Sequence, residues 1–116
     1  MKEDQLERDF LRASLSRSRL LRARETEKAN REYDRIHKLK NELRCLPDKG
    51  LAALRRISAN DDIGTKILAA AALLAIDEKY ALSVLEVIIK ADAFGAFEAE
   101  MVAKEWRAGR MTAYWA

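Results

Sequence analysis

The chain has 116 residues, of which 49% are hydrophobic and 35% are charged, with a formal net charge of +3. This length allows one domain with a modest core, and the composition excludes a disordered protein. Only one proline and four glycines occur, and the abundant residues are strong helix formers, so an all-α fold is expected. No alternating apolar segment bounded by turn residues predicts a β-strand.

The sequence predicts a cytoplasmic protein that does not contact a membrane. Cys45 is the single cysteine, so no disulfide can form within one chain and a reducing compartment is expected. The longest apolar run, residues 67–76, is too short to span a bilayer. Residues 1–4 are acidic where a signal peptide would be basic.

The sequence predicts a single helical domain over residues 1–116. Its N-terminal part, residues 1–46, is predicted to form long helices. Leu6, Phe10 and Ala13 follow helical spacing, and the serines that come next predict a break or kink near residues 16–21. A second helix is predicted over about 22–44. Its amphipathic stripe consists of Ala29, Tyr33, Ile36, Leu39 and Leu43.

Residues 47–109 predict four further helices, over about 49–58, 62–76, 78–90 and 94–108. The helix over 62–76 is apolar on most of its circumference, so we expect it at the buried centre of the domain. In the last helix, Phe97, Met101 and Trp106 form the predicted apolar stripe.

These four helices repeat with a period of 31 residues. The apolar positions that align are Leu51 with Leu82, Leu54 with Leu85, and Ile57 with Ile88. At the turns, Asp61 aligns with Asp92 and Gly64 with Gly95. Two helix-turn-helix units bury their apolar faces by stacking, and the N-terminal helices would cap the stack.

Several motifs give the chain a resemblance to known proteins. The segment from Gly50 through Asp61-Asp62 to Leu74 resembles a HEAT-type repeat unit. The wider pattern resembles the small bacterial family called domain of unknown function 2019. Its matching features are Leu-x-x-x-Phe (Leu6, Phe10), Asn-x-x-Tyr-Asp (Asn30, Tyr33, Asp34), an alanine-rich central helix, and Trp-x-x-Gly (Trp106, Gly109).

The resemblance implies a short HEAT-like helical-repeat stack and no known enzymatic activity. One difference is that Lys66 is the nearest residue to the place where the family pattern usually has an arginine. Similar proteins often act as immunity partners of bacterial toxins. The resemblance therefore implies a protein partner, a secreted toxin or effector, whose active site this chain would block.

The residues themselves predict no catalytic, metal or cofactor site. His37 is the single histidine, and on a charged helix it is expected to be solvated rather than a catalytic base. His37 and Cys45 alone do not form a metal site. Gly64 and Gly95 are isolated, whereas phosphate-binding loops need clustered glycines.

An acidic edge is the first candidate for partner binding. Stacked repeats place equivalent turns side by side, so acidic residues at or near the turns are expected to share one edge. A helix cap is the simpler explanation for the Asp61-Asp62 pair. The candidate residues are Asp61, Asp62, Asp92, Glu98 and Glu100.

A run of arginines is the second candidate, as an alternative site for nucleic acid. Phosphates or an acidic partner could bind such a run. No aromatic residue lies within it to stack on bases, so a solvated helix face is favoured over nucleic-acid binding. On a helix, Arg12 and Arg19 share one side, and Arg17 and Arg24 share another. The full run is Arg12, Arg17, Arg19, Arg22 and Arg24.

The predicted tail, residues 110–116, contains Tyr114 and Trp115. These aromatic residues either belong to a binding hot spot or cover the end of the stack, and the sequence leaves both open. Together the patterns predict a non-enzymatic protein-binding module. They do not identify the partner, and they leave the oligomeric state unknown.

Overall fold

The computed structural model describes residues 2–92 and 94–111, and this part of the chain folds into helices without a strand. The predicted all-α fold is therefore confirmed. The helices are α1 (Lys2–Arg22), α2 (Thr26–Arg44), α3 (Pro47–Ser58), α4 (Ile63–Leu73), α5 (Glu78–Ala91) and α6 (Ala96–Arg107).

Helix α1 is continuous, so the predicted break near residues 16–21 is wrong. Ser14 and Ser18 both lie on its buried side, and the Ser18 hydroxyl donates to Asp62 rather than competing for the backbone of the helix. That side continues the apolar positions of Leu6, Phe10 and Ala13. The helix instead ends in a turn where Arg24 adopts a left-handed conformation with φ of 60°.

Helices α2 and α3 follow closely on one another. Four members of the predicted α2 stripe are buried, and Tyr33 is partly buried against the core. Pro47 starts α3, where its missing N–H has no cost. A Cβ on Gly50 would lie 1.8 Å from the backbone oxygen of Leu43, so this glycine allows the two helices to approach closely.

Helix α4 is the centre of the domain, as predicted. It packs against α1, α3, α5 and α6. Eight of its residues are buried, and four of these are consecutive alanines, residues 69–72. Their small side chains allow neighbouring helices to pack closely around α4.

Two of the three aligned apolar pairs are buried, and the third, Leu51 with Leu82, is only partly buried. Leu54 and Leu85 have no exposed surface, and Ile57 and Ile88 are also buried. The two turns differ, however. Gly64 lies within α4, whereas its aligned counterpart Gly95 is the N-cap of α6 in a left-handed conformation. The HEAT-like character of this stack stays a prediction.

Helix α6 is rotated relative to its predicted orientation. Ala96, Ala99 and Ala103 form its buried side. Phe97 is 78% exposed and Met101 is 40% exposed, so their predicted burial is wrong, whereas Trp106 is partly buried against the core. The alanine side packs towards α4 and α5 at short distance, which large side chains at those positions would prevent.

Candidate protein-binding surface

Among the exposed large apolar side chains, four lie at the end of α1, in the α5–α6 turn and on α6. Phe94 in the α5–α6 turn is 79% exposed, and Leu21 near the end of α1 is 42% exposed. We call Leu21, Phe94, Phe97 and Met101 the apolar surface. Single exposed apolar residues are common, but two phenylalanines so close in the chain need an explanation.

Leu21 and Phe94 line a cavity of about 250 Å³, which we call the apolar cavity. The end of α1, the start of α4 and the α5–α6 turn enclose it. Two glycines make this junction possible. A Cβ on Gly64 would lie 2.5 Å from Ser18 Oγ, and one on Gly95 would lie 2.3 Å from Ile63 Cγ2. Gly95 also has φ of 92°, a conformation that favours glycine.

Asp62 holds this junction together. Its carboxylate accepts hydrogen bonds from Ser18 Oγ at 2.7 Å, from Thr65 N at 3.0 Å and from Thr65 Oγ1 at 2.8 Å. Burial would raise the pKa of Asp62, but these hydrogen bonds and the charge of Arg22 outweigh it, so the pKa lies below its ordinary value. Asp62 therefore has a structural role, and most of its side chain is covered.

The other residues of the predicted acidic edge are distributed over several elements. Asp61, Asp92, Glu98 and Glu100 are all exposed. Of these four, Glu98 lines the apolar cavity and the other three do not. Asp62 therefore caps α4, and Glu98 is the member of the set that lines the same cavity as Phe94.

A second groove, of about 550 Å³, lies between α2 and α6, and Glu98 borders it as well. Tyr33 lies in this groove, and burial raises its pKa although the nearby Arg17 charge opposes the shift. The Arg17 guanidinium carbon lies 5.4 Å from the centre of the Tyr33 ring. Met111, the last residue described, also lines the groove. Tyr114 and Trp115 lie outside the described residues.

A third groove, of about 690 Å³, lies between α1 and α2, and we call it the arginine groove. As predicted, Arg12 and Arg19 lie on one side of α1, and both line this groove. Arg22 and Arg35 join them there. Arg35 was not among the predicted residues, because the sequence alone does not show which side of α2 faces α1. Arg17 lines the apolar cavity instead, and Arg24 lies in the α1–α2 turn.

The titratable groups next to the core are His37 and Lys40. Lys40 is fully buried, and its Nζ lies 3.2 Å from His37 Nδ1. Burial, with the charge of Arg44, lowers the pKa of Lys40 to about 8. Burial and the Lys40 charge also lower the pKa of His37. Among residues 2–92 and 94–111, no three His, Cys, Asp or Glu side chains group in a way that could hold a metal ion.

None of the described helices has both the length and the apolar character needed to cross a membrane. No family model matches the sequence, and no curated protein does. The fold does have a solved counterpart in the crystal structure of the protein RPA1889 from Rhodopseudomonas palustris CGA009. The TM-score is 0.86 over 94% of this chain and 91% of that chain, at 21% sequence identity. This similarity supports the fold alone.

Proposed function

We propose that the chain is a non-enzymatic protein-binding module that docks its partner on the apolar surface. The observation that carries this proposal is the exposure of Phe94 and Phe97, each nearly four-fifths open to solvent. Covering a phenylalanine side chain contributes about 1.5–3 kcal/mol, so two of them are a substantial source of binding energy. Aromatic side chains are also enriched in the hot spots of protein interfaces.

The surroundings of the phenylalanines support the same proposal. Phe94 borders the apolar cavity, into which a partner side chain can insert. Asp92 and Gly95, on either side of Phe94 in the chain, both adopt left-handed conformations.

For the nature of the partner, we propose a bacterial toxin that this chain neutralises in the cytoplasm. This step depends on the resemblance to the domain of unknown function 2019 family, because proteins similar to that family are often found as immunity partners of bacterial toxins. A toxin inhibitor needs a stable, complementary surface rather than catalytic groups. It acts by covering the active site of its target.

The test is a pull-down from native extract at moderate salt, with the tagged full chain as bait. We expect one stoichiometric protein to be retained by the wild type and lost by Phe94→Ser/Phe97→Ser. Ile76→Ser is the matched control, because Ile76 is 43% exposed beyond the other end of α4. It should retain the partner, and circular dichroism would establish that both variants are folded.

If the double phenylalanine variant retains the same partner as strongly as the wild type, the proposed surface is wrong. Should the recovered protein be a toxin, an activity assay with and without the chain decides the inhibitor proposal. Full toxin activity in the complex would exclude neutralisation by coverage of its active site.

A further inference from the structure

Four guanidinium groups line the arginine groove: Arg12, Arg19, Arg22 and Arg35. Glu32 supplies the opposing charge there, so these side chains carry a formal charge of +3. The remainder of the chain beyond α2 does not share this excess. Residues 45–116 contain nine basic and ten acidic residues. The positive charge is therefore local to this groove.

Arg22 connects the groove to the apolar surface. It lines both the arginine groove and the apolar cavity that Phe94 borders. Its Nη1 atom lies 3.9 Å from Asp62 Oδ1, and 61% of its side chain remains exposed. A partner that covers the phenylalanines can therefore extend along α1 without leaving the surface.

From this continuity we infer that the arginine groove holds an acidic, partly apolar segment of the protein partner. The inference depends on the proposed function. Arg12 and Arg19 are seven residues apart on α1, which separates them by about 10 Å along the helix axis. Carboxylates two turns apart on a partner helix match this spacing, and guanidinium groups bind carboxylates through paired hydrogen bonds.

The lining of the groove favours a protein segment over nucleic acid. Leu15, which is 40% exposed, lies between the arginines and offers a contact for an apolar side chain. No aromatic ring is among the residues that line the groove, whereas single-stranded nucleic acids are held by aromatic stacking. The balanced charge of residues 45–116 also provides no extended basic track for phosphates.

The test is a nuclear magnetic resonance titration of the isotope-labelled full chain with defined probes. The first probe is a helical peptide with glutamates two turns apart and a leucine between them. The second is the same peptide with glutamines, and the third is a single-stranded DNA oligonucleotide. We expect the glutamate peptide to shift amide signals of α1 and α2 around Leu15 and Arg35. The glutamine peptide should bind at least about tenfold more weakly.

Arg12→Gln/Arg19→Gln should weaken binding of the glutamate peptide by at least about tenfold. Lys104→Gln/Arg107→Gln removes the same charge from exposed positions on α6 and should leave the affinity unchanged. The inference would be overturned if both peptides bound equally or if neither bound. It would also be overturned if the two double variants lost the same affinity for the glutamate peptide. So would an oligonucleotide that binds more tightly than the glutamate peptide and depends on the same two arginines.

The outcomes of the two tests are separable. The phenylalanine variant could lose the partner while replacement of the arginines has no effect in the titration. That combination would leave the proposed function intact and remove this inference. Retention of the partner by the phenylalanine variant would contradict the proposed function itself, whatever the peptides do.

Discussion

Ser18 donates a 2.7 Å hydrogen bond to the carboxylate of Asp62, although 44 residues separate them in the chain. The same carboxylate oxygen accepts the two hydrogen bonds from Thr65 in the first turn of α4. One side chain thus caps the central helix and ties it to α1. The apolar cavity lies directly beside this contact, so Asp62 also maintains the geometry of the proposed binding surface.

Replacing Asp62 by alanine should lower the free energy of unfolding by about 1–3 kcal/mol, because the cap is lost and Ser18 Oγ loses its acceptor. Urea unfolding followed by circular dichroism measures the change. Asp61→Ala is the matched control. Its exposed side chain predicts a change within about 0.5 kcal/mol. Equal effects of the two substitutions would contradict the assigned role of Asp62.

Gly50→Ala should be among the most damaging single substitutions in the described residues. Its Cβ would meet the backbone oxygen and carbon of Leu43, which are not able to rotate away as a side chain would. We expect a loss of about 3 kcal/mol or more in the free energy of unfolding. A Cβ on Gly109 would meet no atom within 4 Å, so Gly109→Ala adds only the strain of a φ of 73°, about 1–2 kcal/mol. Thermal unfolding should rank the variants in this order.

Ser14→Ala should stabilise the protein. Ser14 Oγ is buried and has no hydrogen-bond partner in the part of the chain that is described. Removing an unsatisfied polar atom should raise the free energy of unfolding by about 1 kcal/mol. Ser58→Ala provides the contrast, because Ser58 Oγ donates to Arg55 O at 2.7 Å and lies 3.0 Å from Tyr80 Oη. That variant should be destabilised, and a destabilised Ser14→Ala would show that its hydroxyl has an acceptor.

Lys40 should give the protein a characteristic alkaline pH dependence. Its pKa falls from 10.5 to about 8 on folding. Between these values the unfolded chain binds a proton that the folded chain has lost, so the free energy of unfolding rises with pH. Below about pH 8 both states are protonated, and the full cost of burying the charge remains.

The Lys40 prediction is tested by urea unfolding of the wild type and Lys40→Met across this pH range. Between about pH 8 and pH 10.5, the free energy of unfolding of the wild type minus that of Lys40→Met should rise by at least about 1 kcal/mol. Lys38→Met, an exposed substitution on the same helix, should show no such trend relative to the wild type. If the difference in unfolding free energy between the wild type and Lys40→Met does not change with pH, the pKa of Lys40 is not strongly lowered.

Sequence patterns predicted the parts of this structure in which one periodicity dominates. Helix α4 has apolar residues on most sides, so its central position followed directly. Helix α6 contains two competing patterns, Phe97 with Met101 and Ala99 with Ala103. Because phenylalanine and methionine are larger than alanine, burial of the first pair was expected. The alanines are buried instead, because they allow α6 to pack closely against α4 and α5.

The candidate site was harder to predict, because it depends on contacts between distant parts of the chain. A cap at Asp62 was expected, but its bond to Ser18 joins α1 to α4 and follows from no local pattern. Likewise, the grouping of Arg12 with Arg19 was predicted from helical spacing. The addition of Arg35 depends on how α2 packs against α1, which the sequence alone did not determine.

The enclosure of α4 by helices from both sides of the chain has a consequence during synthesis. Translation produces α1, α2 and α3 before the helix that covers their apolar sides. The α1–α2 pair is local and can form early, but a nascent chain that stops before Leu73 still exposes the surface against which α4 packs. When α4 has emerged, its own apolar side still waits for α5 and α6, so the core is fully covered only after these last two helices have also left the ribosome.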